Sequence, residues 1–330
     1  MPIYKTKFFL YTISMKELHI QKNDANQRLD KFLSKAFPTL PASLIHKAIR
    51  QKRIKRNGKR TAFAAILEEN DTLQLYLTDA QLSETKKPQA AYKPQAPLQI
   101  VYEDEHLLLV NKPIGIPVHE DKDSGERTLA NAILFYLTEK GTYKKEDELS
   151  FTPALCNRID RNTEGIVIAA KTAEALRFIN EKIKNHEIEK SYLAIAHGNF
   201  EKKQGTVKNF LFKDAKENKV YEKSTPVPGA KTAITHYKVL KEQGRLTLIE
   251  CTLETGRTHQ IRVHMAGLGH PLLGDRKYGN TEKNKPYTEK SQALCAYKVR
   301  FTFKTCPQEF AYLNNKTFKT ENPSFVQKYF

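Results

Sequence analysis

The chain has 330 residues with 55 Lys and Arg against 37 Asp and Glu, a formal net charge of +18, and 39% hydrophobic residues. That length predicts about two domains, and no run approaches the ~18 consecutive apolar residues of a spanning helix. The Phe8–Ile13 run is shorter than a secretory core, and four cysteines without a C-x-x-C pair argue against a disulfide framework or a zinc knuckle. The expectation is a cytoplasmic protein with reduced thiols, no membrane association and a polyanionic partner.

The charge is concentrated early, since residues 1–97 carry 18 basic and 8 acidic side chains. An N-terminal extension is expected over 1–15 and a small domain over 16–80. A Pro-, Gln- and Lys-rich linker is expected over 81–97, and a large domain over 98–330. Leu29, Phe32, Leu33 and Ala36 follow the spacing of a buried helix face. Pro38 ends that helix, and Ser43 is placed to cap a second one with Ile45, Ala48 and Ile49 on its apolar side. Asn57-Gly58 predicts a tight hairpin, because both central residues must adopt positive φ. Leu73, Leu75 and Leu77 alternate as in a half-buried strand. The pattern from about Gln27 to Leu77 resembles the αL RNA-binding module of a small-subunit ribosomal protein. That resemblance implies RNA contacts from Lys55, Arg56, Lys59 and Arg60, which sit at the hairpin. The competing reading is a solvated basic face.

In the large domain, Leu107–Val110 reads as a buried strand ending at Lys112-Pro113. The stretch 154–172 (ALCNRIDRNTEGIVIAAKT) sets Asn157, Arg158, Asp160, Arg161, Asn162 and Thr163 in a polar loop before a buried strand, with Gly165 easing the entry. A carboxylate flanked by two arginines on such a loop is a candidate reactive group. Tyr192 lies near the start of an alternating strand, Lys190–Ala196. The segment 253–265 (LETGRTHQIRVHM) opens with a glycine turn and continues as a short helix, with Arg257 and Arg262 on different faces. The polar stretches Thr138–Ser150, Lys213–Lys231 and Asn280–Lys290 read as surface loops. His259, His264 and His270 lack the spacing and partners of a metal set and read as hydrogen-bonded or RNA-facing. Cys156 reads as a small buried thiol.

The segments LLLVNKPIGIPVH, NRIDRNTEGIVIAAKT, KSYLAIAHG and LETGRTHQIRVHMAGLGHPLLGD, in that order, resemble the RluA family of pseudouridine synthases from about Leu98 to Phe318. The resemblance implies an α+β fold on a large, mostly antiparallel mixed sheet flanked by helices. It implies an isomerase that converts uridine to pseudouridine by cutting N1–C1′ and rejoining through C5, with neither cofactor nor metal. Carried over residue by residue, Asp160 is the catalytic carboxylate, acting at C6, at C1′ or through charge on the ribose. Arg262 is its ion-pair partner, and Tyr192 stacks on the base or takes the C5 proton. Arg158 fills the gap left by a flipped nucleotide. Asn157, Arg161, Arg257 and His259 are further expected RNA or substrate contacts. Asn157 stands where the family commonly has His, and Asn cannot do acid–base work near neutral pH. The expected partner is 23S-type ribosomal RNA in preference to transfer RNA, bound by a monomer. The alternative is a non-catalytic RNA-binding or ribosome-assembly factor that keeps the fold.

Overall fold

A computed structural model of the chain describes residues 13–78, 82, 93–94, 96–120 and 127–330. The expected extension over 1–15 and linker over 81–97 therefore lie mostly outside the described residues. Contacts divide the chain into two compact units. One comprises Met1–Ala90, Leu137–Pro153 and Thr172–Glu174, and the other comprises Ala91–Tyr136, Ala154–Lys171 and Ala175–Phe330. Among the described residues no helix is long and apolar enough to cross a membrane.

The first unit is a four-stranded antiparallel sheet in the order β1-β4-β2-β3 with two helices. Its elements are β1 (Ile13–His19), α1 (Leu29–Ala36), α2 (Ala42–Arg50), β2 (Ile54–Arg56), β3 (Lys59–Arg60) and β4 (Thr72–Thr78). The apolar faces read from the sequence meet in one core. Leu29, Phe32 and Leu33 of α1, Ile45 of α2 and Leu73 and Leu75 of β4 are fully buried. Each such side chain contributes about 1.5–3 kcal/mol of burial. Asn57 (φ 53°) and Gly58 (φ 73°) form the two-residue turn between β2 and β3. The Asn57 amide also donates to Asp71 Oδ1 at 2.7 Å and accepts from the Thr72 N–H at 2.8 Å.

Three features depart from expectation. Helix α2 starts after Pro41, whose φ of −59° presets the first turn, so Ser43 lies inside the helix and makes no cap. Strand β1, which the sequence pattern did not reveal, pairs along β4. Thr138–Ser150 is not simply a surface loop. The Ser150 N–H and hydroxyl donate to Asp24 Oδ1 at 3.0 and 2.6 Å, and the Asn23 amide donates to Glu148 Oε1 at 2.6 Å. A segment some 126 residues downstream thus completes the first unit's polar shell.

The second unit holds an 11-stranded mixed sheet. Its strands are β5 (Gln99–Glu103), β6 (Leu107–Lys112), β7 (Ala154–Leu155), β8 (Glu164–Ala170), β9 (Ile188–His197), β10 (Gln204–Asp214), β11 (Lys219–Lys223), β12 (Lys231–Gln243), β13 (Leu246–Leu253), β14 (Leu294–Phe301) and β15 (Thr317–Lys319). The order is β11-β10-β12-β13-β9-β14-β8-β6-β5, with β15 on β14 and β7 on β8. Every pairing is antiparallel except β14 with β8. The helices α3 (Leu129–Glu139), α4 (Ala173–Lys184) and α5 (Gln260–Gly267) accompany the sheet. Lys213–Lys231, expected as a loop, contains the end of β10, the hairpin turn and all of β11. Leu211 and Val220 bury one face of the hairpin with Val263 of α5, while lysines and other polar residues interrupt both strands and hide them in composition.

Gly165 marks the parallel junction. It has φ +121°, and a Cβ there would overlap the backbone of Ala296 on β14. Its role is the close approach of two strands rather than strand entry alone. Gly165→Ala is expected to lower stability by about 1–3 kcal/mol or more through overpacking, with added strain from the positive φ. A urea midpoint equal to that of the parent would contradict this.

Candidate active site

The β7–β8 loop, residues 156–163, carries the candidate carboxylate and is fastened at several points. The Cys156 N–H donates to the Ile168 carbonyl at 2.8 Å. The Asn157 amide then continues the ladder, accepting from the Ile168 N–H at 2.8 Å and donating to the Ile166 carbonyl at 3.3 Å. Asn157 therefore braces the loop with the amide that was expected to contact RNA. The Thr163 N–H closes a turn onto the Asp160 carbonyl at 3.0 Å, and buried Gln292 donates to the Thr163 hydroxyl at 3.2 Å.

Lys112, at the end of β6, is the strongest fastening. It is fully buried, and its ammonium donates to the carbonyls of Pro113, Ile116 and Arg161 at 2.8, 2.9 and 2.9 Å. The Gly115 N–H meets the same Arg161 carbonyl at 3.0 Å. Burial pushes the Lys112 pKa down to about 8, opposed by the charges of Asp160 and Glu164. At neutral pH its three protons still match three acceptors.

Asp160 faces Arg262 of α5. Arg262 Nη1 donates to Asp160 Oδ2 at 2.9 Å, while Nε and Nη2 form a fork onto Asp275 at 2.7 and 2.9 Å. Burial works against the Arg262 charge, but the two carboxylates outweigh it and its pKa is raised. Asp275 is fully desolvated, which by itself would raise its pKa. Arg262 and the N–H groups of Tyr278 and Lys277 reverse that, holding it below the usual carboxylate range. Tyr192 on β9 is buried, and burial followed by the charge of Asp160 raises its pKa. It stands in the site as a neutral phenol, suited to stacking and hydrogen bonding.

Asp160, Tyr192 and Arg262 line a cleft of about 1260 Å³, larger than most small-ligand pockets. Arg158 is exposed at this cleft, and no hydrogen bond or ion pair involves its side chain among the described residues. The Arg161 side chain is also exposed there, although its carbonyl is the structural anchor. Arg257 lies in the loop before α5, not on the helix as its spacing was read, and its Nε donates to the Thr232 carbonyl at 2.9 Å. His259 approaches Asp160, with Nε2 at 3.8 Å from Oδ2. His264 is buried between Thr235 and Asn209 at 2.9 and 2.8 Å, and His270 stacks on Phe200, so both are engaged within the fold. The Cys156 thiol is pushed up to about 12 by burial, consistent with an inert group.

In the first unit, Lys59 and Arg60 are exposed, and Lys55 lies over the Tyr76 ring at 5.3 Å. Arg56 differs. Its guanidinium meets Asp71 at 2.6 Å and Glu68 at 3.2 Å, so its charge is neutralised within the unit. Asp275, Lys112 and Tyr278 were missed as site residues. Asp275 and Lys112 stood inside the quoted segments, but nothing in their spacing discloses that they bond to Arg262 or to the loop.

The described features find counterparts in known proteins. A family model described as RNA pseudouridylate synthase matches residues 106–267. The chain is similar to an uncharacterised RNA pseudouridine synthase of Chlorobaculum parvum, 33% identical over 303 residues, covering 86% of this chain and 89% of that protein. It is similar to the ribosomal large subunit pseudouridine synthase C of Buchnera aphidicola, 33% identical over 273 residues, with 82% and 83% covered. In fold it matches the structure of human RNA pseudouridylate synthase domain containing 4 with a TM-score of 0.54 at 21% identity, covering 69% of this chain and 90% of that one.

Two outcomes test the assembly. Asp275→Ala strips Arg262 Nε and Nη2 of their acceptors and leaves Asp160 as the remaining carboxylate on its buried charge, and it is expected to lower unfolding free energy by about 3–5 kcal/mol; an unchanged urea midpoint contradicts the arrangement. For Lys112, the folded chain releases its proton near pH 8 and the unfolded chain near 10.5, so raising the pH between them favours folding through this group. The same deprotonation removes a donor from the loop. Turnover is therefore expected to fall above about pH 8 without a matching fall in thermal stability from Lys112. Lys112→Arg should move that limb upward in a pH–rate profile.

Proposed function

The chain belongs to the RluA family of RNA pseudouridine synthases and is an RNA-modifying isomerase, and from that membership we propose that it modifies uridines of large-subunit ribosomal RNA through Asp160. The observation that carries the reading is the Asp160–Arg262 pair, backed by buried Asp275, in a cleft that exposed arginines also line. The reaction breaks N1–C1′, turns the uracil over and forms C5–C1′. The C5 proton is lost and N1 gains one, so atoms and electrons balance without an outside reactant. Asp160 supplies the carboxylate nucleophile. Its Oδ2 is occupied by Arg262, and Oδ1 has no protein donor among the described residues, which leaves Oδ1 to meet the nucleotide. Tyr192, neutral and buried, packs against the base and holds its orientation.

A uridine inside a stem is out of reach, so flipping costs a few kcal/mol. Arg158, exposed two residues before Asp160, is the side chain to fill the gap. Ribosomal RNA as the substrate rests on the similarity to large-subunit enzymes and on the basic hairpin of the first unit. Transfer RNA is the alternative substrate.

Asp160→Ala is expected to abolish pseudouridine formation while RNA binding persists. Mass-labelled cellular RNA from a deletion strain should lose pseudouridine at discrete large-subunit positions. Retention of every pseudouridine would refute the assignment. For binding, neutralising Lys55, Lys59 and Arg60 together should reduce the salt slope by roughly 2–3, at ~0.7–0.9 per phosphate contact. Neutralising Arg56 should act mainly on stability, because its charge is already paired. A slope left unchanged by the triple variant would show the hairpin to be a solvated face.

A further inference from the structure

His259 has an uncommon backbone and an unusual set of partners. It precedes α5 in the left-handed region, φ 54° and ψ 18°, a conformation that non-glycine residues adopt infrequently. That backbone turns the imidazole between two groups. Nδ1 lies 2.7 Å from the Tyr278 hydroxyl, and Nε2 lies 3.8 Å from Asp160 Oδ2. The Tyr278 hydroxyl also accepts the Val220 N–H at 2.9 Å. Its ring packs edge-on to His259, with centroids 5.4 Å apart, and lies beneath the Arg262 guanidinium at 5.1 Å. The Tyr278 N–H donates to Asp275 Oδ1 at 3.1 Å, so one residue touches both ends of the arginine bridge's support.

The hydrogen-bond partners favour one tautomer. A phenol has one proton, and with Val220 already donating to its oxygen, the bond that uses that proton runs to Nδ1. The imidazole proton then sits on Nε2, the nitrogen facing a carboxylate, so both neighbours select the same tautomer. We propose that Tyr278 and His259 form a positioning relay that, together with Arg262, holds Asp160 by Oδ2 and so reserves Oδ1 as the reacting oxygen. The proposal rests on the reading of Asp160 as the reacting carboxylate. The 3.8 Å separation is longer than a hydrogen bond, and catalytic contacts of this kind tighten when substrate fills the site. Burial lowers the His259 pKa to about 4, with Asp160 and Asp275 opposing and Arg262 and Lys277 adding to the shift. The ring is thus a neutral donor at working pH and does not compete with Arg262 for the carboxylate's charge.

The test uses the full-length enzyme and a ribosomal RNA transcript tritiated at uridine C5, with single-turnover rates and RNA affinity measured separately. In His259→Asn the amide sits near the Nδ1 position, satisfies Tyr278 and falls short of Asp160. Asn also tolerates the left-handed backbone, so this variant is expected to be at least as stable as the parent. Its rate is expected to fall by about 10- to 100-fold with RNA affinity little changed, the scale of effect from a misplaced reacting group. His259→Gln carries an amide nitrogen to the Nε2 position and is expected to recover most of that loss.

Tyr278→Phe frees Nδ1 to take a proton. Its rate should therefore fall as the pH drops, in a limb that the parent lacks over the same range and that the Tyr278→Phe, His259→Gln double variant abolishes. Equal rates for the Asn and Gln variants, or a Tyr278→Phe profile superimposable on the parent's, would overturn the relay. Asp160→Ala run alongside separates the two readings. Activity surviving in that variant removes the carboxylate assignment itself, whereas its loss beside unaffected His259 variants removes only the relay.

Discussion

One guanidinium between two carboxylates organises the catalytic unit. Arg262 uses Nε and Nη2 on Asp275 and Nη1 on Asp160, so the buried cation is satisfied by an anchor on one side and by the candidate carboxylate on the other. Taking such charges out of water is expensive, and only near-ideal geometry repays it. The planar fork of arginine supplies that geometry, and lysine, a point charge, cannot. Asp275 is further fixed by two backbone N–H groups, so the direction of Nη1 is settled before any ligand arrives. The position of the Asp160 carboxylate is therefore set by the fold.

The loop bearing Asp160 is built to the same end. Lys112 ties the Arg161 carbonyl to the turn after β6, Gln292 holds Thr163, and Asn157 extends the β7–β8 ladder with its side chain. Polar groups fixed in advance do not have to reorganise when charge develops, which is where electrostatic catalysis gains most. The rim is the opposite in character. Arg158 and the Arg161 side chain are exposed at the cleft.

What the sequence disclosed depended on whether a signal was local. The faces of α1 and α2, the Asn57-Gly58 turn and the strands β4, β6, β8 and β9 were legible because periodicity or a dipeptide carries them. Strands β10 and β11 bury only alternate residues beneath α5, so their polar composition reads as a loop. The meeting of Asp160 with Arg262, 102 residues apart, has no local signal and came from the family resemblance alone. Asp275 and Tyr278 escaped even that, since a bond to a side chain thirteen or nineteen residues away follows no period. Asn157 was legible as a departure from the family, yet its contacts with β8 depend on register, which only coordinates give.

The polar shell of the first unit draws on Glu148 and Ser150, which the chain supplies only after it has already laid down β5 and β6 of the large sheet. The two units are thus interleaved along the covalent chain. No single cut separates them cleanly, and a cut at the linker would strip Asp24 and Asn23 of their partners. Exchange of whole N-terminal modules among relatives by simple fusion would leave those groups bare. For this chain, a change in the basic module must be compatible with residues 137–153, which lie beyond the first strands of the catalytic sheet.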